Sequence, residues 1–269
     1  MKDRYPGPSL RTSVAAVSLA ILAAATVGPA RADDAASLLK AMSDYTAAQE
    51  SITATFDSDV EVVTSDSQKI QFSSSGDLKM MRPDKLRVHR TGGYADVDLV
   101  YDGKTVSLYG NNAKAYVQAD APGNIDLLIE TLQQRTGALP GADLLVGNLF
   151  EYLTSDVIDG VHVGEGVVDG VECEHLAFRG HDTDWQIWIQ TGAQPIPRKY
   201  VITSKTIAGA PQYTLRIKSW KTDAISDPDA FAFKPPEGAI KVSLESEQAA
   251  EFDEIPPGTE TGAKTWSAH

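Results

Sequence analysis

The sequence has a single cysteine and a shortage of positive charge. Cys173 cannot form an internal disulfide, so the fold must be held together by its hydrophobic core. The 24 Lys and Arg residues stand against 37 Asp and Glu residues, which gives a formal charge of −13. Such a surface repels nucleic acid and disfavours anionic lipid headgroups, so we expect no nucleic-acid partner.

Recognisable catalytic and metal-binding motifs are also missing from the sequence. It contains no G-x-S-x-G elbow, H-E-x-x-H pair, phosphate-binding loop or C-x-x-C pair. Cys173 and His175 could share one strand face, but no second pair of zinc ligands has the required spacing. The segment at 57–61 lacks the glycine of a calcium-binding loop. Its acidic residues, Asp57, Asp59 and Glu61, fit the solvated face of a strand. We therefore expect no enzymatic activity, no cofactor and no metal site, with Cys173 as a small buried residue.

The apolar run at residues 14–27 is too short to span a bilayer. Basic residues precede it, and Ala30 and Ala32 follow it at the small-residue spacing that a signal peptidase requires. The pattern predicts a secretory signal at residues 1–32, cleaved after Ala32, and a mature protein in the periplasm. Because four basic residues and one acidic residue precede Asp33, cleavage changes the formal charge from −13 to −16.

Hydrophobic periodicity predicts three helices and two groups of strands in the mature chain. Apolar residues recur at helical spacing in residues 33–49, 125–135 and 142–153. A period of two, interrupted by Asp-Gly turns, predicts about six strands before the second helix and about six after it. This order predicts an α+β fold in which helices cover the concave face of one long, curved antiparallel β-sheet, a half-barrel.

The predicted organisation is a single half-barrel domain over residues 33–244. Two small β domains are the alternative, but the apolar faces of the middle helices would then lack a partner. Residues 245–269 are rich in Glu, Pro, Gly and Thr, which is typical of disorder. We therefore expect a mostly disordered tail.

Several segments of the chain resemble one known family. These segments are RPDKLRV at residues 82–88, YDGK at 101–104, CEHLAFR at 173–179, DWQIWI at 184–189, PIPRKYVIT at 195–203 and FAFKPP at 231–236. They are similar to the predicted periplasmic proteins of domain of unknown function family 2092, from which no catalytic residue follows. More distantly, the layout is similar to outer-membrane lipoprotein carriers and receptors and to mycobacterial lipid-binding lipoproteins. That likeness implies a half-barrel whose helices plug an apolar cavity for acyl chains.

Apolar residues at alternating strand positions and on the middle helix are the candidate ligand contacts. They would either line a cavity or fill a core, and only the resemblance favours the cavity. The candidate cavity-lining residues are Phe56, Val60, Phe72, Leu78, Met80, Leu86, Val88, Leu99, Leu128 and Leu132. Arg82, Arg87 and Trp185 are candidate rim or partner contacts. The basic residues of this region also fit the charged, solvated face of an edge strand.

The leading functional hypothesis is a monomeric periplasmic binding or carrier protein. Its ligand would be apolar, such as a lipid or a lipoprotein acyl chain, held between the sheet and the helices. The alternative is a cell-envelope sensing or protein-interaction module on the same scaffold without lipid transport, since the layout also resembles the sheet domain of envelope-stress regulators. Neither role requires covalent chemistry.

Overall fold

The computed structural model describes residues 32–136, 139–253 and 255. Of the predicted signal at residues 1–32, only Ala32 lies within these ranges. In the predicted tail, residues 256–269 lie outside them. The described chain contains three α-helices, twelve β-strands and two 3₁₀ helices. None of its helices combines the length and the hydropathy needed to cross a membrane.

The helices lie at the start and in the middle of the described chain. They are α1 (Ala32–Ala47), α2 (Ile125–Thr136) and α3 (Leu149–Thr154), with a 3₁₀ helix at Ala142–Leu145. The helix predicted at residues 142–153 is therefore split, which corrects that prediction. Val146 is extended, and the Gly147 N–H donates to the Asp126 carboxylate of α2 at 3.0 Å, so the backbone leaves the helical path there.

The strands fall into two groups on either side of the middle helices. The first group is β1 (Ser51–Val63), β2 (Lys69–Met81), β3 (Lys85–Gly92), β4 (Asp96–Tyr101), β5 (Thr105–Gly110) and β6 (Ala115–Asp120). The second group is β7 (Val157–Val168), β8 (Val171–Gly180), β9 (Thr183–Gln190), β10 (Pro197–Ser204), β11 (Gln212–Lys221) and the short β12 (Ile240–Lys241). Asp169 and Gly170, with φ of 49° and 81°, form the predicted tight turn between β7 and β8.

All twelve strands belong to one open sheet in the order β12-β6-β5-β4-β3-β2-β1-β11-β10-β9-β8-β7. The two groups of strands form one sheet because β11 of the second group pairs with β1 of the first. Neighbours are antiparallel except β12 and β6, which are parallel, so the sheet is mixed. The predicted α+β fold, one long curved sheet with helices on its concave face, is confirmed.

The helices pack on one face of the sheet, called here the inner face. In β1, alternation directs Ile52 and Ala54 to this face, while Asp57 and Asp59 point to the opposite, outer face. Ile52 is fully buried, together with the helix residue Leu39, in one cluster that contains side chains of the sheet and of all three α-helices. Burial of each such side chain contributes about 2 kcal/mol, so this cluster holds the helices against the sheet.

The chain after β11 crosses the outer face and then ends on the inner face. Phe233 lies against Tyr109 and Tyr116 of the outer face, with ring centroids 6.5 and 5.3 Å apart. Beyond β12, a 3₁₀ helix at Glu247–Phe252 brings Phe252 against Val97 of the inner face. The described part of the predicted tail therefore includes one helical segment with a buried aromatic side chain.

Candidate functional site

Three rows of side chains cross the inner face of strands β3 to β6, and each row has a different cover. The strand register defines the rows. The first contains Leu86, Tyr101, Val106 and Ala119, the second contains Val88, Leu99, Leu108 and Val117, and the third contains Arg90, Val97, Gly110 and Ala115. In each row, neighbouring side chains lie about 5 Å apart across the sheet.

Helix α2 covers the end of these strands that carries the first row. The Ile125 N–H donates to the Pro83 carbonyl at 2.9 Å, which fixes the start of α2 beside the start of β3. Ile125 and Leu128 are buried in the same cluster as Leu86 and Tyr101. The larger side chains of the first row are therefore core residues rather than ligand contacts.

The C-terminal 3₁₀ helix covers the opposite end of these strands. Phe252 is buried against Val97 and Ala115 of the third row, and its ring occupies the space where a Cβ on Gly110 would lie. Its carbonyl accepts a hydrogen bond from the Arg90 guanidinium at 3.4 Å. Glycine at position 110 thus makes room for the aromatic ring on the inner face.

The second row lies between these two covers and is partly exposed. Val88 and Leu99 pack against the main cluster, while Leu108 and Val117 pack against the cluster that contains Phe252. Val88, Leu99, Leu108 and Val117 are each only partly buried, although Ala54 and Leu78, which continue the same row onto β1 and β2, are buried. We call these four residues the inner groove. An apolar strip that four adjacent strands leave partly open to solvent is a ready contact surface for an apolar ligand.

The structure brings all ten sequence-predicted lining residues into one hydrophobic cluster. Five are buried within it, namely Val60, Leu78, Met80, Leu86 and Leu128. Five are partly buried at its margin, namely Phe56, Phe72, Val88, Leu99 and Leu132. Two groove residues, Leu108 and Val117, were not singled out from the sequence, although the alternation within β5 and β6 carries the signal for both.

The three predicted rim or partner residues lie in three different environments. Trp185 lies in the core instead of at a rim, because it is only 6% exposed and stacks on Phe178 with centroids 4.1 Å apart. Arg87 points to the outer face and lies 3.5 Å from the Asp98 carboxylate. Arg82 is half-buried near the start of α2, where burial lowers the pKa of its guanidinium and the Asp126 carboxylate opposes that shift.

A buried polar pair lies beneath the 3₁₀ helix at Ala142–Leu145. The Tyr200 hydroxyl of β10 donates to the Asp143 carboxylate at 2.9 Å, and both side chains are buried. Burial raises the pKa of Asp143 to about 6, although the Tyr200 hydrogen bond opposes the shift. The second carboxylate oxygen has no hydrogen-bond partner among the described residues. Sequence reasoning missed this pair, because a lone Asp in a helical segment carries no signal of burial.

The outer face carries polar and charged side chains rather than an apolar strip. His175 stacks on Trp188 with ring centroids 4.0 Å apart, and the Lys199 ammonium lies 4.5 Å from the centre of the Trp188 ring. Cys173 is buried on this face, and burial raises the pKa of its thiol. Within the described ranges, no group of three or more His, Cys, Asp or Glu side chains could hold a metal ion.

An open, curved sheet with helices on its inner face and an apolar groove defines this chain as an α+β half-barrel protein. It belongs to the family described as predicted periplasmic protein (DUF2092), which matches residues 35–245. The family resemblance predicted from the sequence is thereby confirmed. No curated protein matches the sequence.

Several solved structures are similar to this chain. An uncharacterized conserved protein from Thermus thermophilus is 13% identical with a TM-score of 0.47, covering 78% of this chain and 98% of that chain. Lipoprotein LppX from Mycobacterium tuberculosis is 13% identical with a TM-score of 0.45, covering 72% and 99%. MucB in the Pseudomonas aeruginosa MucA/MucB complex is 14% identical with a TM-score of 0.41, covering 75% and 61%. At these identities and TM-scores, the likeness carries no information on the ligand or partner of this chain.

Proposed function

We propose that this protein binds an apolar ligand, such as a lipid or an acyl chain, in the inner groove and carries it through the periplasm. The observation that supports the proposal is the partly exposed second row, Val88, Leu99, Leu108 and Val117, between two covered rows. Four adjacent strands span about 14 Å, so an extended alkyl chain can lie across all four side chains. No enzymatic activity belongs to this proposal.

Removal of the ligand from water supplies the affinity. Each methylene that leaves water contributes about 0.8 kcal/mol, so a chain across the groove gains several kcal/mol without any hydrogen bond. The groove residues themselves also lose their contact with water when a ligand covers them. Release requires the ligand to lose these contacts, which is easier if the cover formed by α2 or by the C-terminal 3₁₀ helix moves.

The test is a titration with the uncharged fluorescent probe N-phenylnaphthylamine. We expect Leu108→Gln to weaken probe binding by roughly tenfold, because a polar amide would have to be desolvated inside the groove. The matched control is Leu127→Gln on the solvent-exposed side of α2, where Leu127 is 47% exposed, and it should bind as the wild type does. Equal probe affinity in the wild type and in Leu108→Gln would rule out the groove as the binding site.

A further inference from the structure

Strand β7 forms one end of the sheet and has a hydrogen-bonded neighbour on one side only. Its partner is β8, and its other edge presents backbone N–H and C=O groups that no other strand of the described residues pairs. At the opposite end of the sheet the terminal strand is β12, which is only two residues long. Of the two sheet edges, β7 is therefore the one long enough to accept a further strand.

Strand β7 also exposes large apolar side chains. Ile158, Val163 and Val167 are 56%, 54% and 68% exposed, and they are three of the six exposed large hydrophobic residues in the described ranges. An apolar residue at an exposed edge is normally avoided, because it invites pairing with another chain. Ile158 and Val163 lie at irregularities in the pairing with β8, whereas Val167 lies in a regular stretch. An apolar side chain as exposed as Val167 on an edge strand indicates a surface that a partner covers.

The usual protection of an edge strand is incomplete along β7. The strand contains no Lys, Arg or Pro. Two register irregularities, at Val157/Asp159 and at His162/Gly164, interrupt its first part. From Gly164 to Val168, however, the strand pairs with β8 without a break in register. This regular stretch, with Val167 at its most exposed point, is the part of the edge that can add a strand.

The charge around this stretch indicates the chemistry of the partner. Glu165 on β7 and Glu172 on β8 are both exposed, and they have no basic residue in register beside them. His162 is the one histidine of β7, which has no Lys or Arg. Its Nε2 atom already lies 2.7 Å from the Glu174 carboxylate. A second copy of this acidic edge would bring like charges together, whereas a strand that carries Lys or Arg would neutralise them.

We propose that residues 164–168 of β7 bind an extended segment of a partner protein that carries an apolar residue and a Lys or Arg two positions apart, so that both side chains lie on the face that Val167 and Glu165 share. The segment adds to the sheet as a strand beyond β7. Main-chain hydrogen bonds to β7 supply the affinity, while contacts with Val167 and with the glutamates select the sequence. This inference is independent of the apolar ligand of the inner groove, because β7 lies at the other end of the sheet from β3 to β6.

The probe for this proposal is a synthetic decapeptide with the repeat Val-Ser-Lys-Ser, which places Val and Lys in turn on one face of the added strand. It is added to the full protein. We expect it to slow hydrogen exchange by about tenfold or more at those backbone amides of 164–168 that point away from β8, because they gain hydrogen-bond partners. The same peptide with Glu in place of Lys should have no such effect. Circular dichroism before each measurement confirms that every variant is folded.

The deciding variant is Val167→Lys, which places a like charge on the edge that receives the peptide. We expect it to weaken peptide binding by about tenfold, measured by calorimetry. The matched control is Ile240→Lys on β12, a residue that is 53% exposed at the other sheet edge, and it should bind as the wild type does. Absence of amide protection on β7, equal binding of the Glu peptide, or an equal loss in Ile240→Lys would each overturn the proposal.

Discussion

Asp143 is a carboxylate that the fold buries instead of leaving exposed to solvent. It is 9% exposed and shares a hydrogen bond with the buried Tyr200. Burial disfavours its charged form, so the pKa rises from the ordinary value of 3.8 to about 6. The folded protein therefore binds this proton more tightly than the unfolded chain does. Burial raises the pKa of the neighbouring Tyr152 above its ordinary value of 10, so this side chain stays neutral in the same pH range and does not compensate a charge on Asp143.

Stability should accordingly fall as the pH rises through the range in which Asp143 ionises. Below pH 3.8 the carboxyl group is protonated in both states, so its contribution to stability is fully present and does not vary with pH. Between pH 3.8 and about 6 this contribution is progressively lost, because the unfolded chain ionises first. Above that window the loss is complete and amounts to about 3 kcal/mol at most. The variant Asp143→Asn should gain stability relative to the wild type across the same window, measured by urea unfolding at several pH values. A constant difference between the two proteins would show that Asp143 is ionised when folded.

The C-terminal 3₁₀ helix is the element whose position the sequence predicts least well. Its composition resembles that of a disordered tail, yet the single aromatic residue Phe252 reaches the inner face beside Gly110. The contact joins Phe252 and Gly110, which are far apart in sequence, so the local hydrophobic pattern cannot predict it. The split of the helix at residues 142–153 has a similar origin, because it depends on an Asp126 carboxylate from another helix.

The hydrophobic period of the sequence is sufficient to predict which side of a strand faces the helices. Alternation in β1 and β2 predicts which residues face the helices, and the structure places Ile52 and Met80 there, fully buried. The pattern cannot predict which of these inward residues are covered. Val88 and Leu86 follow the same alternation on β3, but only Leu86 lies under α2 and is buried. The groove depends on the tertiary placement of the covers.

Loss of the Phe252 side chain should open the groove at one end. The variant Phe252→Ala removes the ring from its site on Gly110 and leaves the segment held by the 3.4 Å hydrogen bond from Arg90 and by the smaller apolar contact of Ala249. We expect probe affinity to rise severalfold, while thermal unfolding changes little because this segment packs outside the main cluster. The control is Leu244→Ala, at a residue that is 45% exposed. A lower probe affinity in Phe252→Ala would mean that the ring itself is a wall of the ligand site.

At the scale of the whole molecule, one sheet presents two surfaces of different kind at its two ends. Strands β3 to β6 carry the partly exposed apolar groove, and β7 at the far end carries the exposed edge. The main cluster continues between them through β1, β11, β10 and β9, so both surfaces rest on one packed scaffold. The acidic surface, with a formal charge of −13 over the chain, suits partners that are neutral or basic.

The central claim is that the inner groove holds an apolar ligand in the cell envelope. Native mass spectrometry of the protein purified from bacterial periplasm, without detergent or extraction, tests it most directly. The wild type should carry an adduct with the mass of a lipid or fatty acid, and Leu108→Gln should carry little or none while Leu127→Gln keeps it. A folded wild-type protein that is free of any adduct after isolation, and that takes up no added lipid, would contradict the account.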